Sequence, residues 1–175
     1  MKKRIGKVLL VLVGGFLIFL IAGIVIRKVK GEQAAEKIRT LPVLAMKDIW
    51  GNSFTTEKIP SGPLLITFFH PECDHCKYEI SSLISTDLID SQLAILLVSY
   101  AKVDDIQSFI QEVGNIDALN MHILHDPDFR MSDLYRADIL PSNFIYNKEL
   151  KLVKVFKGAT KPETIMKYLN GNDKD

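Results

Sequence analysis

Downstream of residue 40, the clearest pattern is a pair of unbroken apolar runs at residues 63–69 and 93–98. The first run is bounded by Gly62 and Pro71. Uninterrupted apolar runs of this length are typical of strands that are buried on both faces of a sheet. Residues 121–124 are short and strand-like, so the pattern predicts two buried strands and a third, shorter strand.

Alternating and turn-rich segments predict two β-hairpins outside these runs. Residues 41–46 and 53–55 flank a turn at Gly51-Asn52, which favours a hairpin near the start of the domain. Residues 144–146 and 151–156 are joined through Asn147-Lys-Glu and predict a second hairpin near its end.

Helical periodicity lies between the predicted strands. Apolar residues recur with the spacing of one helix face at Ile106, Phe109, Ile110 and Val113. Further helices are predicted over residues 73–88, 126–135 and 162–171. Because strands and helices alternate before a final hairpin and helix, we expect an α/β domain with a mixed central sheet flanked by helices.

A long apolar segment at residues 8–26 precedes this domain and contains no charged residue. At about 1.5 Å per residue, a helix of this length nearly spans the ~30 Å hydrocarbon core of a bilayer. No small-residue cleavage site is evident before Glu32, so the segment predicts an uncleaved transmembrane signal anchor rather than a cleaved signal peptide. The basic residues within positions 1–7 favour a cytoplasmic N-terminus.

The predicted organisation follows from that anchor. It comprises a cytoplasmic tail (1–7), a transmembrane helix (8–26), a linker (27–40), a folded domain (41–171) and a C-terminal tail (172–175). In a bacterium the chain would cross the cytoplasmic membrane once, and the domain would face the periplasm or outer surface. That compartment permits disulfides.

The distribution of charged residues also separates the N-terminal segment from the folded domain. Residues 1–31 hold seven of the 22 Lys and Arg residues and no acid, which leaves 15 basic against 21 acidic residues and a net charge of −6 in the remainder. Binding to nucleic acid is not expected, because it needs clustered positive charge.

Both cysteines of the chain lie in the sequence Cys73-Asp-His-Cys76, where a buried strand is predicted to lead into a helix. At that spacing the two sulfurs can meet across the first helical turn. The free N–H groups and positive dipole end of a helix start stabilise a thiolate, the nucleophile of disulfide exchange. We therefore expect Cys73 to attack a substrate disulfide and Cys76 to resolve the mixed disulfide. An inert structural disulfide is the alternative, although closing so short a loop removes little chain entropy.

Residues 68–79, Phe-Phe-His-Pro-Glu-Cys-Asp-His-Cys-Lys-Tyr-Glu, resemble the active-site segment of membrane-anchored TlpA/ResA-like thiol–disulfide oxidoreductases, in the redoxin branch of the thioredoxin superfamily. Residues 139–145 resemble the cis-proline loop of that superfamily, and the likeness covers about residues 41–170. It implies a thioredoxin-like fold with an extra N-terminal β-hairpin. The implied activity is the reduction of extracytoplasmic protein disulfides, cytochrome c maturation substrates among them, with electrons from a membrane thiol-reductase. The Cys73–Cys76 disulfide is the redox group, and no cofactor is implied.

The resemblance also implies roles for residues around the cysteines. Leu140 and Pro141 would form a cis-proline loop that faces the cysteine pair and docks an extended substrate. Glu79 matches an acidic position that this branch places near its cysteines. Thr67 stands where thioredoxins proper have a buried acid, so proton transfer is left to Glu79 or to water.

Two neighbouring residues are expected to act on Cys73 in opposite directions. Asp74 should raise the pKa of the Cys73 thiol, whereas His75, when protonated, should lower it. A histidine at position 75 resembles strongly oxidising members of the superfamily, while the anchored group as a whole is mainly reducing. We predict a reductant.

Two other functions draw on the same segment. His70, Cys73, His75 and Cys76 offer ligands for copper(I) or zinc(II), as in a metal chaperone, although we predict no metal site. A thiol peroxidase is the other alternative. The similar peroxiredoxins have Thr or Ser three residues before the cysteine, where this chain has His70.

Overall fold

The structure, a computed structural model, describes residues 14–16, 19–23, 25–26, 31–32, 35–59, 62–85, 93–114 and 120–169. The chain divides into two compact units, Met1–Glu36 and Lys37–Asp175. In the first unit, the described residues are helical. Within the part of the chain that the structure describes, no helix is both long enough and apolar enough to cross a membrane. Much of the predicted anchor, residues 8–13, 17–18 and 24, lies outside the described residues.

The second unit is built on a mixed sheet. Its described strands are β1 (Ala45–Asp48), β2 (Ser53–Thr55), β3 (Leu64–Phe68), β4 (Ala94–Ser99), β5 (Met121–His125), β6 (Ser142–Tyr146) and β7 (Leu152–Lys157). They lie in the order β2-β1-β5-β4-β3-β6-β7. β3, β4 and β5 are parallel, and the other neighbouring pairs are antiparallel. The predicted mixed sheet is confirmed, and β1 and β2 form a hairpin where the sequence predicts one.

Helices cover both faces of this sheet. The described helices of the second unit are α1 (Asp74–Ile84), α2 (Val103–Val113), α3 (Arg130–Tyr135) and α4 (Pro162–Leu169). Successive side chains of a strand point to opposite faces. Leu65 of β3 therefore packs in a core with buried residues of α1, α2 and α4, while Leu64 and Ile66 pack with α3. The unbroken apolar run in β3 is explained by burial on both faces.

The turn between β1 and β2 is organised by Asp48. Its carboxylate accepts hydrogen bonds from the backbone N–H groups of Trp50 at 2.9 Å and Asn52 at 2.8 Å. Gly51 adopts a φ of +85°, which a residue without a Cβ tolerates. Trp50 is 60% exposed at the turn, because these hydrogen bonds fix the backbone without using its ring.

Several boundaries differ by a few residues from those predicted, and hydrogen bonds explain two of the differences. α3 begins at Arg130 rather than near residue 126, because Asp126 is held in a turn and its carboxylate accepts the N–H groups of Met131 and Ser132. At the start of the unit, Ile38 is buried and its carbonyl accepts a hydrogen bond from the Tyr146 hydroxyl at 2.8 Å. The compact unit therefore includes the end of the predicted linker.

Candidate active site

Helix α1 begins at the cysteine pair. Cys73 is the N-cap residue, and its Sγ accepts a hydrogen bond from the backbone N–H of Cys76 at 3.2 Å. A disulfide joins the two residues, with their Cα atoms 5.2 Å apart. Cys73 is half-buried, whereas Cys76 has no exposed surface and packs into the core from the buried face of α1. The pair therefore combines one partly exposed cysteine with one buried cysteine.

The two residues between the cysteines face solvent. Asp74 and His75 are both exposed in the first turn of α1. A carboxylate in this position interacts favourably with the helix dipole. Because water and salt screen exposed charges, the influence of either side chain on Cys73 is weaker than it would be in a buried site.

The loop before β6 contains the predicted cis proline. The Leu140–Pro141 peptide bond is cis. Ser142, the next residue, pairs with Phe68 at the end of β3, five residues before Cys73. Pro141 comes directly before β6, and the cysteines come after β3. Because β3 and β6 are paired, both sites lie at the same end of these two strands. Leu140 is half-buried and packs against the cores on both faces.

Glu79 is buried on the same face of α1 as Cys76, three residues further along the helix. It is only 2% exposed. One carboxylate oxygen accepts a hydrogen bond from Asn143 Nδ2 at 2.8 Å, and the other accepts the backbone N–H of Thr160 at 2.5 Å. The Thr67 hydroxyl in turn donates to Asn143 Oδ1 at 2.7 Å. The sequence left open a solvated position for Glu79, and the structure places it in the interior instead.

The pKa of Glu79 reflects this setting. Burial raises the pKa of the carboxyl above its ordinary value of 4.5, and the hydrogen bonds from Asn143 and Thr160 oppose part of that rise. An acid with a raised pKa can exchange a proton closer to neutral pH than an exposed glutamate.

Three aromatic rings contact one another in series, beginning at His70, three residues before Cys73. His70, whose carbonyl accepts the Cys73 N–H at 3.0 Å, lies against Tyr100, with ring centroids 5.4 Å apart. Tyr100 also contacts Phe129, at 4.5 Å between centroids. Phe129 is 45% exposed and has a φ of 56°, an uncommon value for a bulky residue. Tyr100, Phe129 and Leu140 line a cavity of about 490 Å³.

The remaining histidines make ordinary structural contacts. His122 lies against the ring of Phe54 at 4.9 Å between centroids, and His125 Nε2 is 3.0 Å from the carbonyl oxygen of Ala101. Among the described residues, no group of three or more His, Cys, Asp and Glu side chains could hold a metal ion.

Comparison with known proteins assigns the chain to a family. The model of the AhpC/TSA family matches residues 39–155, which is more than half of the chain. The chain belongs to the AhpC/TSA family. No curated protein sequence matches this family member.

Solved structures show that this AhpC/TSA domain has a thioredoxin-like fold. It is similar to a secreted disulfide oxidoreductase of Mycobacterium tuberculosis (18% identity, TM-score 0.64), with 78% of this chain and 98% of that one covered. It is also similar to the thioredoxin domain of a thiol-disulfide oxidoreductase of Bacteroides vulgatus (23%, 0.60), with coverages of 75% and 96%. StoA of Bacillus subtilis (18%, 0.57) is covered to 98% by 74% of this chain. The predicted enzyme class agrees with these descriptions.

Sequence reasoning missed the polar groups around Glu79 in this AhpC/TSA domain. Asn143 lies just before the predicted strand at residues 144–146, and Thr160 contributes only a backbone N–H. The available signal was Thr67, a polar residue inside the apolar run at residues 63–69. Thr67 and Asn143 both fall at strand positions that face α1, as do their neighbours Leu65 and Ile145.

Proposed function

We propose that this chain is a membrane-anchored thiol–disulfide oxidoreductase that reduces protein disulfides, with Cys73 as the nucleophile and Cys76 as the resolving thiol. One observation carries the proposal, namely the difference in exposure between the two disulfide-bonded cysteine residues at the start of α1. A substrate can reach the half-buried Cys73, whereas Cys76 is completely buried. The AhpC/TSA family match and the oxidoreductases of similar fold support the same chemistry.

The proposed reaction begins from the reduced pair. The Cys73 thiolate attacks one sulfur of a substrate disulfide, and the other substrate sulfur leaves as a thiolate and takes up a proton. Cys76 then loses its proton and attacks Cys73 Sγ, which restores the Cys73–Cys76 disulfide and releases the second substrate thiol. The substrate gains two electrons from the cysteine pair and takes up two protons from its surroundings. The pair releases two protons, one when the Cys73 thiolate forms and one from Cys76 in the second step.

Two features of α1 support these steps. The N-cap position places Cys73 Sγ at the positive end of the helix dipole, where the Cys76 N–H donates to it at 3.2 Å. This environment favours the thiolate. In the second step we assign Glu79 as the acceptor of the Cys76 proton, because both residues are buried on one face of the helix.

The cavity beside Leu140 is the proposed docking place for a protein substrate. Its walls include the aromatic rings of Tyr100 and Phe129 and the exposed charge of Arg136. It adjoins the cis Leu140–Pro141 loop, which by resemblance binds an extended substrate. We assign Asp74 and His75 a smaller role, in setting the reduction potential through their charges.

The finer aspects of the proposal rest on the sequence and its resemblance. The uncharged segment at residues 8–26 supports a single-pass anchor with the domain on the extracytoplasmic side of a bacterial membrane. The likeness to TlpA/ResA-like proteins supports cytochrome c maturation proteins as substrates and a membrane thiol-reductase as electron donor.

The test is the reduction potential of the purified full-length chain, measured by equilibration with dithiothreitol or glutathione. A reversible two-electron couple near or below about −250 mV is expected for a reductant, whereas a value near about −120 mV would indicate an oxidant. The Cys76→Ser variant should accumulate a mixed disulfide with a protein substrate, and Cys73→Ser should not.

Other outcomes point to the alternative functions. The lack of any reversible couple would contradict the proposal, and tight stoichiometric copper binding by the reduced chain would then favour a metal chaperone. Consumption of hydrogen peroxide with a thiol donor would favour a thiol peroxidase. His70 occupies the position where that chemistry needs Thr or Ser, and its Nδ1 already accepts the Glu72 N–H at 3.3 Å.

A further inference from the structure

Two polar side chains lie inside the sheet behind Glu79, and the reaction described above leaves them without a role. Thr67 of β3 is 1% exposed and Asn143 of β6 has no exposed surface. The two residues are direct partners across the antiparallel β3–β6 pair. Burying an amide and a hydroxyl costs free energy unless both are hydrogen-bonded. A purely structural position would be filled at lower cost by an apolar side chain such as that of their neighbour Leu65.

The hydrogen-bonding direction of this pair is determined by Glu79. An ionised carboxylate only accepts hydrogen bonds, so the Asn143 Nδ2 group must face its oxygen, at 2.8 Å. The amide oxygen then faces β3, where the Thr67 hydroxyl donates to it at 2.7 Å. The backbone N–H of Thr160 donates to the second carboxylate oxygen. Both oxygens of Glu79 therefore receive a donor, an arrangement complementary to its charged form.

We propose that Asn143, held in orientation by Thr67, is a positioning residue that keeps Glu79 available as a carboxylate in the interior of the domain. This inference rests on the proposed function, in which Glu79 accepts the proton of Cys76 during the resolving step. Without the amide donor, Glu79 would keep its proton to higher pH and could not accept another until the solution was more alkaline.

The donors that stabilise the Glu79 carboxylate are uncharged, although charged residues also lie near α1. Lys77 of α1 forms a salt bridge with Glu112 of α2, and Lys161 before α4 and Glu163 in its first turn are exposed. None of these charges contributes to the pKa of Glu79, which is raised by burial and lowered by its two hydrogen bonds. The other titratable residues of α1 include Asp74, His75 and Tyr78, which are exposed, and Cys76, which is buried like Glu79 and titrates once the disulfide is reduced.

The experiment measures the pKa of Glu79 directly, by NMR of the glutamate side-chain carboxyl carbons in the reduced full-length chain. The Glu79 signal is assigned by its loss in the Glu79→Gln variant. Asn143→Leu removes the donor with little change in volume, and we expect it to raise the pKa by about 0.5–1 unit, the equivalent of one net hydrogen bond. The alkaline shift should reappear in the pH profile of the resolving step.

Variants of Thr67 give a second test of the same inference, which does not require the Asn143→Leu variant to fold. Thr67→Val should raise the pKa of Glu79 by a smaller amount, and Thr67→Ser, which keeps the hydroxyl, should leave it unchanged. Thr56→Val is the matched control. Thr56 is also buried, and its hydroxyl donates to the carbonyl of Pro42 at 2.8 Å in the hairpin region, away from Glu79.

The outcomes separate this inference from the function on which it rests. An unchanged Glu79 pKa in both Asn143→Leu and Thr67→Val, or an equal shift in Thr56→Val, would overturn the positioning role. If the pKa shifts as expected but the cysteine pair exchanges no disulfide, the role of Asn143 stands and the proposed function fails.

Discussion

The side chains around the cysteine pair differ in how deeply they are buried. Asp74 and His75 are exposed between the cysteines, whereas Glu79 is buried and receives two N–H donors. Burial has the larger effect on Glu79, because its pKa is raised despite both donors. In the oxidised chain the cysteines do not titrate, so Glu79 can be studied alone.

The pH dependence of stability should show the raised pKa of Glu79. The folded chain holds the proton more tightly than the unfolded chain, so this contribution to stability is complete below about pH 4.5 and is lost as pH rises through the folded pKa. Over that interval the free energy of unfolding should fall relative to Glu79→Gln, with a limiting slope of about 1.4 kcal/mol per pH unit for one proton. Urea unfolding of the oxidised proteins between pH 4 and 8 measures the difference. Parallel curves for the two proteins would contradict it.

Among the elements, the turn between β5 and α3 links the fold to the site. Asp126 binds the first N–H groups of α3, and the short connection leaves Phe129 with a positive φ and an exposed ring. That ring meets Tyr100, which follows β4, so two loops at the carboxyl ends of parallel strands share one aromatic contact. Side chains from separate loops thereby form one wall of the cavity beside Leu140.

Removing that wall should affect protein substrates selectively. Phe129→Ala is expected to raise KM several-fold for reduction of a protein disulfide, because a partly buried aromatic contact is lost. It should leave the reduction potential and the reaction with a small disulfide such as oxidised glutathione unchanged. Trp50→Ala, which removes another exposed aromatic ring (60% exposed, against 45% for Phe129) from the β1–β2 turn, is the control. Equal losses with both variants or with both substrates would argue against a docking role.

At the scale of the whole molecule, the chain combines an N-terminal unit whose described residues are helical with a redox domain. The basic residues of positions 1–31 and the acidic excess beyond them support the proposed membrane anchor with the domain in water. The two cysteines of the chain lie in the second unit, so labelling them with a thiol reagent shows on which side of a membrane that unit lies.

The topology can be tested in bacterial cells that express the full chain. After brief reduction, a membrane-impermeant maleimide should label Cys73 in intact cells, because we expect the domain on the outer side of the cytoplasmic membrane. A variant with both cysteines replaced by serine gives the background. Labelling only after cell lysis would place the domain inside the cell and contradict the proposed orientation.

The sequence alone predicted the interior strands β3 and β4 and the cysteine pair, for local physical reasons. Nearly continuous apolar runs identified the two strands because burial on both faces leaves no alternation of apolar and polar residues. Cys73 and Cys76 were recognisable because their spacing and helix-start position are properties of a few adjacent residues. The cis proline came from resemblance, as no local pattern distinguishes it from a trans one.

Only the tertiary structure decided the surroundings of these residues. Glu79 could have been solvated on the helix surface; it is buried because α1 packs against β6 and the loop before α4. Its partners Asn143 and Thr160 lie 64 and 81 positions away in the chain. Contacts over such distances depend on strand order and register, which sequence periodicity does not encode, and the buried setting that raises the pKa of Glu79 exists only once the sheet has assembled.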